Sequence, residues 1–153
     1  LTPYTYISIP MMLKQLGIVH SYYPDTLSHR QHWVGEYKFE ATRIWDSARR
    51  LERNMYQPGM MQCLSFGHTK PLELGKGGAI LTDDYDAYVA LSKMRSDGRD
   101  LSISPWQEQK SFTQGYHYCP TLETCALGLE KLWHITYEPK YYPYPDLRTI
   151  DIS

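Results

Sequence analysis

Residues 63–83 read Cys-Leu-Ser-Phe-Gly-His-Thr-Lys-Pro-Leu-Glu-Leu-Gly-Lys-Gly-Gly-Ala-Ile-Leu-Thr-Asp, and this stretch decides the fold more than any other part of the chain. The pattern predicts a buried strand at Met61–Phe66, a turn that presents Lys70, a glycine-rich reversal and a second strand at Ala79–Thr82. An amine reacts with a carbonyl when it is fixed and partly desolvated, and a tight connection past a strand end provides both conditions. Although most lysines are solvated surface charges, the segment therefore indicates a reactive lysine at position 70.

A candidate carboxylate lies upstream, where residues 42–45 (Thr-Arg-Ile-Trp) predict a short strand that ends in Asp46. Two strand ends can bring a carboxylate and an amine into one crevice. Pyridoxal phosphate (PLP) needs that pair, because its aldehyde condenses with a lysine while a carboxylate keeps its pyridine nitrogen protonated. Asp46 could also cap a helix that the spacing of Ala48, Leu51 and Met55 predicts, and the two roles are compatible.

Four groups of residues, in order along the chain, resemble the PLP-binding region of the DegT/StrS-type sugar aminotransferases, which belong to the fold-type-I PLP class. They are Ile44–Ala48, Ser65–Lys70 with Gly75–Asp83, Met94–Asp100, and Gly115–Tyr118 with Cys125–Leu129. Weaker similarity at Thr5–Ser8 extends the resemblance over residues 3–135. The family's upstream phosphate-binding loop and its small C-terminal domain have no counterpart here. We therefore expect a fragment or a reduced form of the family's large domain.

The alternation of strands with helices predicts an α/β fold with a mostly parallel sheet. The clearest helices are predicted at Asp84–Lys93 and Thr121–His134. The resemblance implies the three-layer sandwich of the aspartate aminotransferase-like large domain. We expect a partial PLP-binding core at residues 1–135 and a tail rich in tyrosine and proline at residues 136–153. The tail is interpreted either as an ordered segment lying on a surface or as disordered chain.

The resemblance implies cofactor roles for six residues, four of which match the family pattern. Lys70 matches the lysine that condenses with PLP, and Asp46 matches the carboxylate that pairs with the ring nitrogen. Ser65 matches a serine that binds the PLP phosphate, and its alternative is a strand serine bonded to the backbone. Tyr6 matches the aromatic that stacks on the ring, and its alternative is a core aromatic.

The other two candidates depart from the family pattern. Arg49 stands where the family has glutamine or histidine against the ring, and it could stack there or bind an anionic group. His117 replaces an asparagine that reaches the PLP phosphate of the neighbouring subunit, and Cys119 replaces the arginine that follows in the same motif. A histidine can still donate a hydrogen bond to phosphate, so His117 stays a candidate.

The resemblance implies transfer of an amino group from an amino acid, with glutamate the expected donor, to a keto group of a nucleotide-linked sugar by a homodimer. Two alternatives remain open. The chain could be a non-catalytic relative that keeps the fold, which the changes at His117 and Cys119 favour. It could also be a PLP-dependent sugar dehydratase, but relatives with that activity carry histidine in place of the lysine, so Lys70 argues against it.

Composition excludes several other classes of function. The formal charge is −1 and no basic block is present, so the chain lacks the footprint of a nucleic-acid-binding protein. No apolar run approaches the roughly 20 residues of a membrane span. The 3 cysteines form no paired framework, which favours a reducing compartment and a cytoplasmic location. A zinc site built from Cys63, His68, His117 and Cys119 lacks paired ligand spacing, so no metal is expected.

Overall fold

A computed structural model describes residues 1–24, 35–136, 138 and 144–152 of the chain. These residues form four strands, three α-helices and two short 3₁₀ helices. The strands are β1 (Tyr37–Lys38), β2 (Ile44–Asp46), β3 (Met61–Ser65) and β4 (Gly78–Leu81), and the α-helices are α1 (Ser8–Gln15), α2 (Tyr85–Met94) and α3 (Leu122–Leu132). The 3₁₀ helices span Trp106–Glu108 and Leu147–Thr149.

The four strands form one sheet in the order β1-β2-β3-β4. β1 pairs antiparallel with β2, β2 pairs parallel with β3, and β3 pairs antiparallel with β4. The length and the course of the connections explain the mixture, because a parallel pair needs a crossover of about a dozen residues or more that returns to the first end of the sheet. Residues 47–60 provide such a crossover between β2 and β3, whereas residues 39–43 form a short turn and residues 66–77 fold back on themselves.

The prediction of a mostly parallel sheet in three layers does not describe these residues. Of the three strand pairings in the described part of the chain, one is parallel. The extended contacts between described elements are those between neighbouring strands, so the helices do not form continuous layers against the sheet. The strands are 2 to 5 residues long and offer little area on which a helix could pack.

The predicted strands and helices around the glycine-rich segment are confirmed, with ends that move by one or two residues. Local capping explains both later helices. The Asp84 carboxylate accepts a hydrogen bond from the Ala87 N–H at the start of α2, and the Thr121 hydroxyl accepts one from the Thr124 N–H at the start of α3. Side-chain caps satisfy backbone donors that have no partner within the helix.

The helix predicted after Asp46 is wrong, because residues 47–55 form turns and irregular chain. Asn54 has a φ of 59°, which a right-handed helix does not allow. Both Ser47 and Arg50 donate side-chain hydrogen bonds to the Glu36 carboxylate. These tertiary bonds override the weak helical spacing of the apolar residues.

The buried interior lies between the N-terminal residues, β1 and the crossover, and it is partly polar. Its apolar members are Leu1, Tyr37, Met55, Met60, Leu72 and Leu147. Gln62 on β3 is fully buried, and its side-chain amide donates to Glu36 at 2.8 Å. The Gln62 Nε2 and the buried Glu36 carboxylate are thus paired, whereas the Gln62 Oε1 is buried without a hydrogen-bond partner among the described residues.

The described helices are too short or too polar to cross a membrane. Residues 144–152 pack against the start of the chain, where the Leu147 N–H donates to the Pro3 carbonyl at 3.0 Å. Of the tyrosine-rich segment at residues 137–144, the structure describes residues 138 and 144. The division into a core at 1–135 and a tail at 136–153 stays a prediction.

Candidate functional site

Lys70 lies on the turn that follows β3. The turn is closed by the Lys70 N–H, which donates to the Gly67 carbonyl at 3.3 Å, and by the Leu74 N–H, which donates to the Phe66 carbonyl at 2.9 Å. Gly75, with a φ of 84°, permits the reversal that follows, because a side chain is strained in that conformation. The hydrogen-bonded loop fixes the backbone position of Lys70.

The Lys70 side chain is half-buried. Burial lowers its pKa from the ordinary 10.5, and the Arg49 guanidinium lowers the pKa further, whereas the Asp46 carboxylate raises it. Desolvation and a neighbouring cation both disfavour the ammonium form. The amine is therefore neutral, and nucleophilic, at a lower pH than that of an exposed lysine.

Asp46 ends β2 and is held at both carboxylate oxygens. Its Oδ1 accepts a hydrogen bond from the Ala48 N–H at 2.9 Å, and its Oδ2 accepts one from the Tyr37 hydroxyl at 2.9 Å. Because β1 and β2 are antiparallel with Tyr37 directly opposite Asp46, the two side chains stand on one face of the sheet. The carboxylate thus has a fixed direction, and each oxygen has room to accept one more donor.

Tyr37 is the buried support of that carboxylate, with 6% of its surface exposed. Burial raises its pKa, and the negative charge of Asp46 raises it further. Its hydroxyl is also hydrogen-bonded to the Thr5 hydroxyl. Since a phenol has one proton, which Tyr37 gives to Asp46, the Thr5 hydroxyl is the donor in that second bond.

Lys70 and Asp46 line one pocket, which we call the strand-end pocket. About 430 Å³ of empty space lies in it, part of which is open solvent. Its walls are Thr5, Tyr6, Gly35, Glu36, Tyr37, Asp46, Ala48, Arg49, Lys70 and Tyr144. Four of the six predicted cofactor residues therefore meet in one place: Tyr6, Asp46, Arg49 and Lys70.

Arg49, Tyr6 and Tyr144 form one wall of the pocket. The Arg49 Nε donates to the Tyr144 hydroxyl at 2.7 Å. The Tyr144 ring meets the exposed Tyr6 ring edge to face, with centroids 6.3 Å apart. The backbone of Arg49 approaches Gly35 so closely that a Cβ there would lie 2.5 Å from the Arg49 carbonyl oxygen. Gly35 therefore allows the Arg49 turn to pack against the start of β1.

Ser65 and His117 are not among the residues that line the strand-end pocket. The Ser65 hydroxyl accepts a hydrogen bond from the Gly67 N–H at 3.4 Å, so it supports the turn that carries Lys70. His117 pairs with Asp97 at 3.1 Å, and its side chain is 84% exposed. The phosphate role of Ser65 and the contact of His117 with a neighbouring subunit stay predictions.

Two of the side chains considered for a zinc site, His68 and Cys63, have different surroundings. His68 is exposed and pairs with Glu73 at 3.0 Å. Burial raises the pKa of the Cys63 thiol, and the Asp46 charge raises it further, so Cys63 is a poor nucleophile. No three His, Cys, Asp or Glu side chains in the described residues gather as metal ligands.

The sequence did not reveal Thr5, Glu36, Tyr37 or Tyr144 as pocket residues. Tyr37 had a weak signal, since a hairpin over residues 37–46 places it opposite Asp46. Tyr144 had none, because it reaches Arg49 from 95 positions away along the chain.

The chemistry of the pocket fits PLP. The Lys70 amine, with its lowered pKa, can condense with the aldehyde, and the fixed Asp46 carboxylate can pair with the ring nitrogen. The exposed Tyr6 ring also lines the pocket. The guanidinium supplies a cation for an anionic group.

Comparison with known proteins supports the resemblance to an aminotransferase family. The sequence model of the DegT/DnrJ/EryC1/StrS aminotransferase family matches residues 48–138, which is more than half of the 153-residue chain. The match includes Arg49, Ser65, Lys70 and His117, and it begins two positions after Asp46. No curated protein and no solved structure matched the chain.

Proposed function

Because this chain belongs to the DegT/DnrJ/EryC1/StrS aminotransferase family, we propose that it binds PLP in the strand-end pocket and transfers an amino group from an amino acid to a keto group. Glutamate is the expected donor, and a nucleotide-linked sugar is the expected acceptor. One observation carries the assignment of residues: Lys70 and Asp46, which lie on separate elements, line the same pocket. Family membership supports the reaction class and the PLP-dependent transferase fold.

Lys70 is the proposed catalytic residue. Burial and Arg49 lower the pKa of its amine, so a larger neutral fraction is available to attack the cofactor aldehyde. With PLP and substrate bound, the Lys70 amine would be the group that moves the proton at the substrate α-carbon.

Asp46 is the proposed partner of the pyridine nitrogen. Its two oxygens are oriented by the Ala48 N–H and the Tyr37 hydroxyl, so the carboxylate can hold a proton on the ring nitrogen without reorienting. When bound, PLP supplies a protonated ring that accommodates the negative charge left at the substrate α-carbon.

The remaining roles follow the same proposal. Tyr6 stacks on the cofactor ring, and Arg49 binds an anionic group. Ser65 contacts the phosphate, and His117 donates to the phosphate in the neighbouring subunit of a homodimer. The 1–135 core and the 136–153 tail are kept as the proposed division, although Tyr144 takes part in the pocket.

We also place the protein in the cytoplasm. Its cysteines, Cys63, Cys119 and Cys125, are free thiols, which suits a reducing compartment.

Absorbance spectroscopy with added PLP tests the proposal. We expect a visible band, and borohydride reduction should leave a stable pyridoxyl group on the peptide that contains Lys70. Lys70→Ala should lose the band, whereas Lys76→Ala should keep it, because Lys76 is an exposed lysine close by on the glycine-rich reversal. Thermal unfolding of both variants checks that they are folded.

Addition of glutamate separates the candidate reactions. Release of 2-oxoglutarate in proportion to bound PLP supports an aminotransferase. Trapped PLP on Lys70 without any 2-oxoglutarate contradicts glutamate as the donor. A folded protein that binds no PLP, or that traps it at another lysine, contradicts the proposed site and favours the non-catalytic alternative.

A further inference from the structure

Residues 144–152, which lie beyond the family match, are anchored on the N-terminal part of the chain. Leu147 is 2% exposed, and its N–H donates to the Pro3 carbonyl at 3.0 Å. The Lys14 ammonium donates to the Ile152 carbonyl at 3.1 Å. Two attachments, one of them a buried side chain, fix the course of this segment.

That anchoring carries Tyr144 into the strand-end pocket. Its hydroxyl accepts a 2.7 Å hydrogen bond from the Arg49 Nε, and its ring packs edge to face on Tyr6. An arginine side chain has several rotatable bonds and loses substantial conformational entropy when it is held. A hydrogen bond to a phenol whose own backbone is fixed holds the guanidinium at one place.

We propose that residues 144–152 form a strap that completes the strand-end pocket, and that Tyr144 is a positioning residue that fixes the Arg49 guanidinium beside Lys70. The role of the pocket as a PLP site rests on the proposed function, but the position of Arg49 is a property of the protein without cofactor. The strap thereby sets both the cationic wall that an anionic group meets and the charge of the nearby amine.

The charge of Lys70 reports the position of Arg49. Burial is the largest cause of its lowered pKa, the Arg49 guanidinium is the second, and Asp46 acts in the opposite direction. The other ionisable side chains that line the pocket are Tyr6, Glu36, Tyr37 and Tyr144. If Arg49 is released into solvent, its repulsion of the ammonium weakens, and the Lys70 pKa rises toward the ordinary value.

Competitive labelling with acetic anhydride, a neutral amine reagent, measures this in the cofactor-free protein over a series of pH values. Labelling of the Lys70 peptide is compared with that of the Lys76 peptide in the same sample. We expect Tyr144→Phe to label Lys70 roughly threefold more slowly below the midpoint, which corresponds to a midpoint about 0.5 pH unit higher. Arg49→Gln should shift the midpoint at least as far. Tyr88→Phe, an exposed tyrosine on α2, should leave it unchanged.

Leu147→Ala tests the strap rather than the phenol. It removes the buried anchor and should raise the Lys70 midpoint as Tyr144→Phe does, although Leu147 itself does not line the pocket. Wild-type profiles for both variants, with a shift in Arg49→Gln, would overturn the positioning role. An unshifted Arg49→Gln profile would overturn it as well, because no charge would then be positioned. A protein that shows the shifts but binds no PLP would refute the proposed function and leave the strap in place.

Discussion

The strand-end pocket and the Ser96–His117 bridge, where the chain at Ser96–Gly98 meets Gly115–His117, both contain predicted site residues, but they differ in where the side chains point. In the pocket, Lys70 and Asp46 are partly buried and face a common space. At the bridge, Ser96 is fully buried, whereas the His117 side chain is 84% exposed. Lys70 and His117 both lie within the family match, yet the pocket gathers four of the predicted site residues and the bridge presents one to solvent.

The difference has its origin in the backbone. Asp46 has a strand neighbour on each side, Tyr37 and Cys63, so its side chain has a defined face. At the bridge the segments are also hydrogen-bonded, with the Asp97 N–H donating to the Tyr116 carbonyl at 3.0 Å, but they come very close at a glycine: a Cβ on Gly98 would lie 1.8 Å from the Thr113 carbonyl oxygen. This close backbone contact buries Ser96 and leaves the His117 side chain exposed.

The largest effect is expected from neutralising the pocket carboxylate. Asp46→Asn keeps the size of the side chain but removes the charge that we propose pairs with the ring nitrogen. We expect the rate of 2-oxoglutarate release to fall on the order of 10²-fold or more. Asp97→Asn at the bridge is the matched control and should change the rate by about twofold at most. Equal losses in the two variants would remove the distinction between the regions.

A smaller effect is expected from the buried support of that carboxylate. Tyr37→Phe removes the hydrogen bond to the Asp46 charge, and with it the bond from Thr5, and leaves the ring in place. Because hydrogen bonds to charged groups are worth about 1.5–3 kcal/mol, the free energy of unfolding in urea should fall by about that amount. Tyr118→Phe, an exposed tyrosine stacked on Tyr116 at the bridge, should change it by about 0.5 kcal/mol at most. A Tyr37→Phe protein as stable as the wild type would show that Asp46 does not depend on this bond.

The variant His117→Ala tests the phosphate contact that we propose for His117. If His117 donates to the phosphate in a neighbouring subunit, PLP affinity should fall about tenfold at protein concentrations that maintain a dimer. Below those concentrations the variant and the wild type should bind equally. His134→Ala, an exposed histidine beyond α3, serves as the control. Equal affinities at every concentration would remove His117 from the site.

The smallest effect is expected in the pH dependence of the free energy of unfolding. Because the folded-state pKa of Lys70 is lowered, its charge costs stability below that pKa, and the cost is relieved as the pH rises toward 10.5. Lys70→Met should therefore be more stable than the wild type at neutral pH, and the advantage should shrink in alkali. Urea unfolding over a pH series measures it, and an advantage that grows in alkali would contradict the assignment.

The lysine near the bridge should behave in the opposite way. Lys93 pairs with Asp100 at 2.9 Å, and Asp100 has a pKa well below its usual range because the Ser102 hydroxyl and Lys93 both donate to it. That bond stabilises the fold above the ordinary aspartate pKa of 3.8 and is lost in acid. Lys93→Met should therefore lose stability at neutral pH, and the loss should disappear as the pH falls.

Local sequence was sufficient for the parts of the fold that short-range sterics control. The apolar run at Met61–Ser65 and the glycines that follow it led correctly to a strand, a turn and a reversal. Caps at Asp84 and Thr121 marked two helix starts. The order of short motifs was also enough to identify the family.

Tertiary structure decided what depends on groups distant in the chain. The carboxylate of Glu36 replaced a predicted helix with turns by accepting bonds from Ser47 and Arg50. The short turn at residues 39–43 and the folded-back segment at residues 66–77 made the sheet mixed, against the expectation of a mostly parallel one.

The sequence by itself determined which residue types could carry the chemistry, because lysine, aspartate and their flanking turns are local features. Only the folded chain decided which of them share a pocket, and it added Tyr144, whose role has no local signature. A hydrogen bond such as that between Arg49 and Tyr144 depends on the whole path of the chain between them. That path is set by burial and strand pairing, and not by the residues at its two ends.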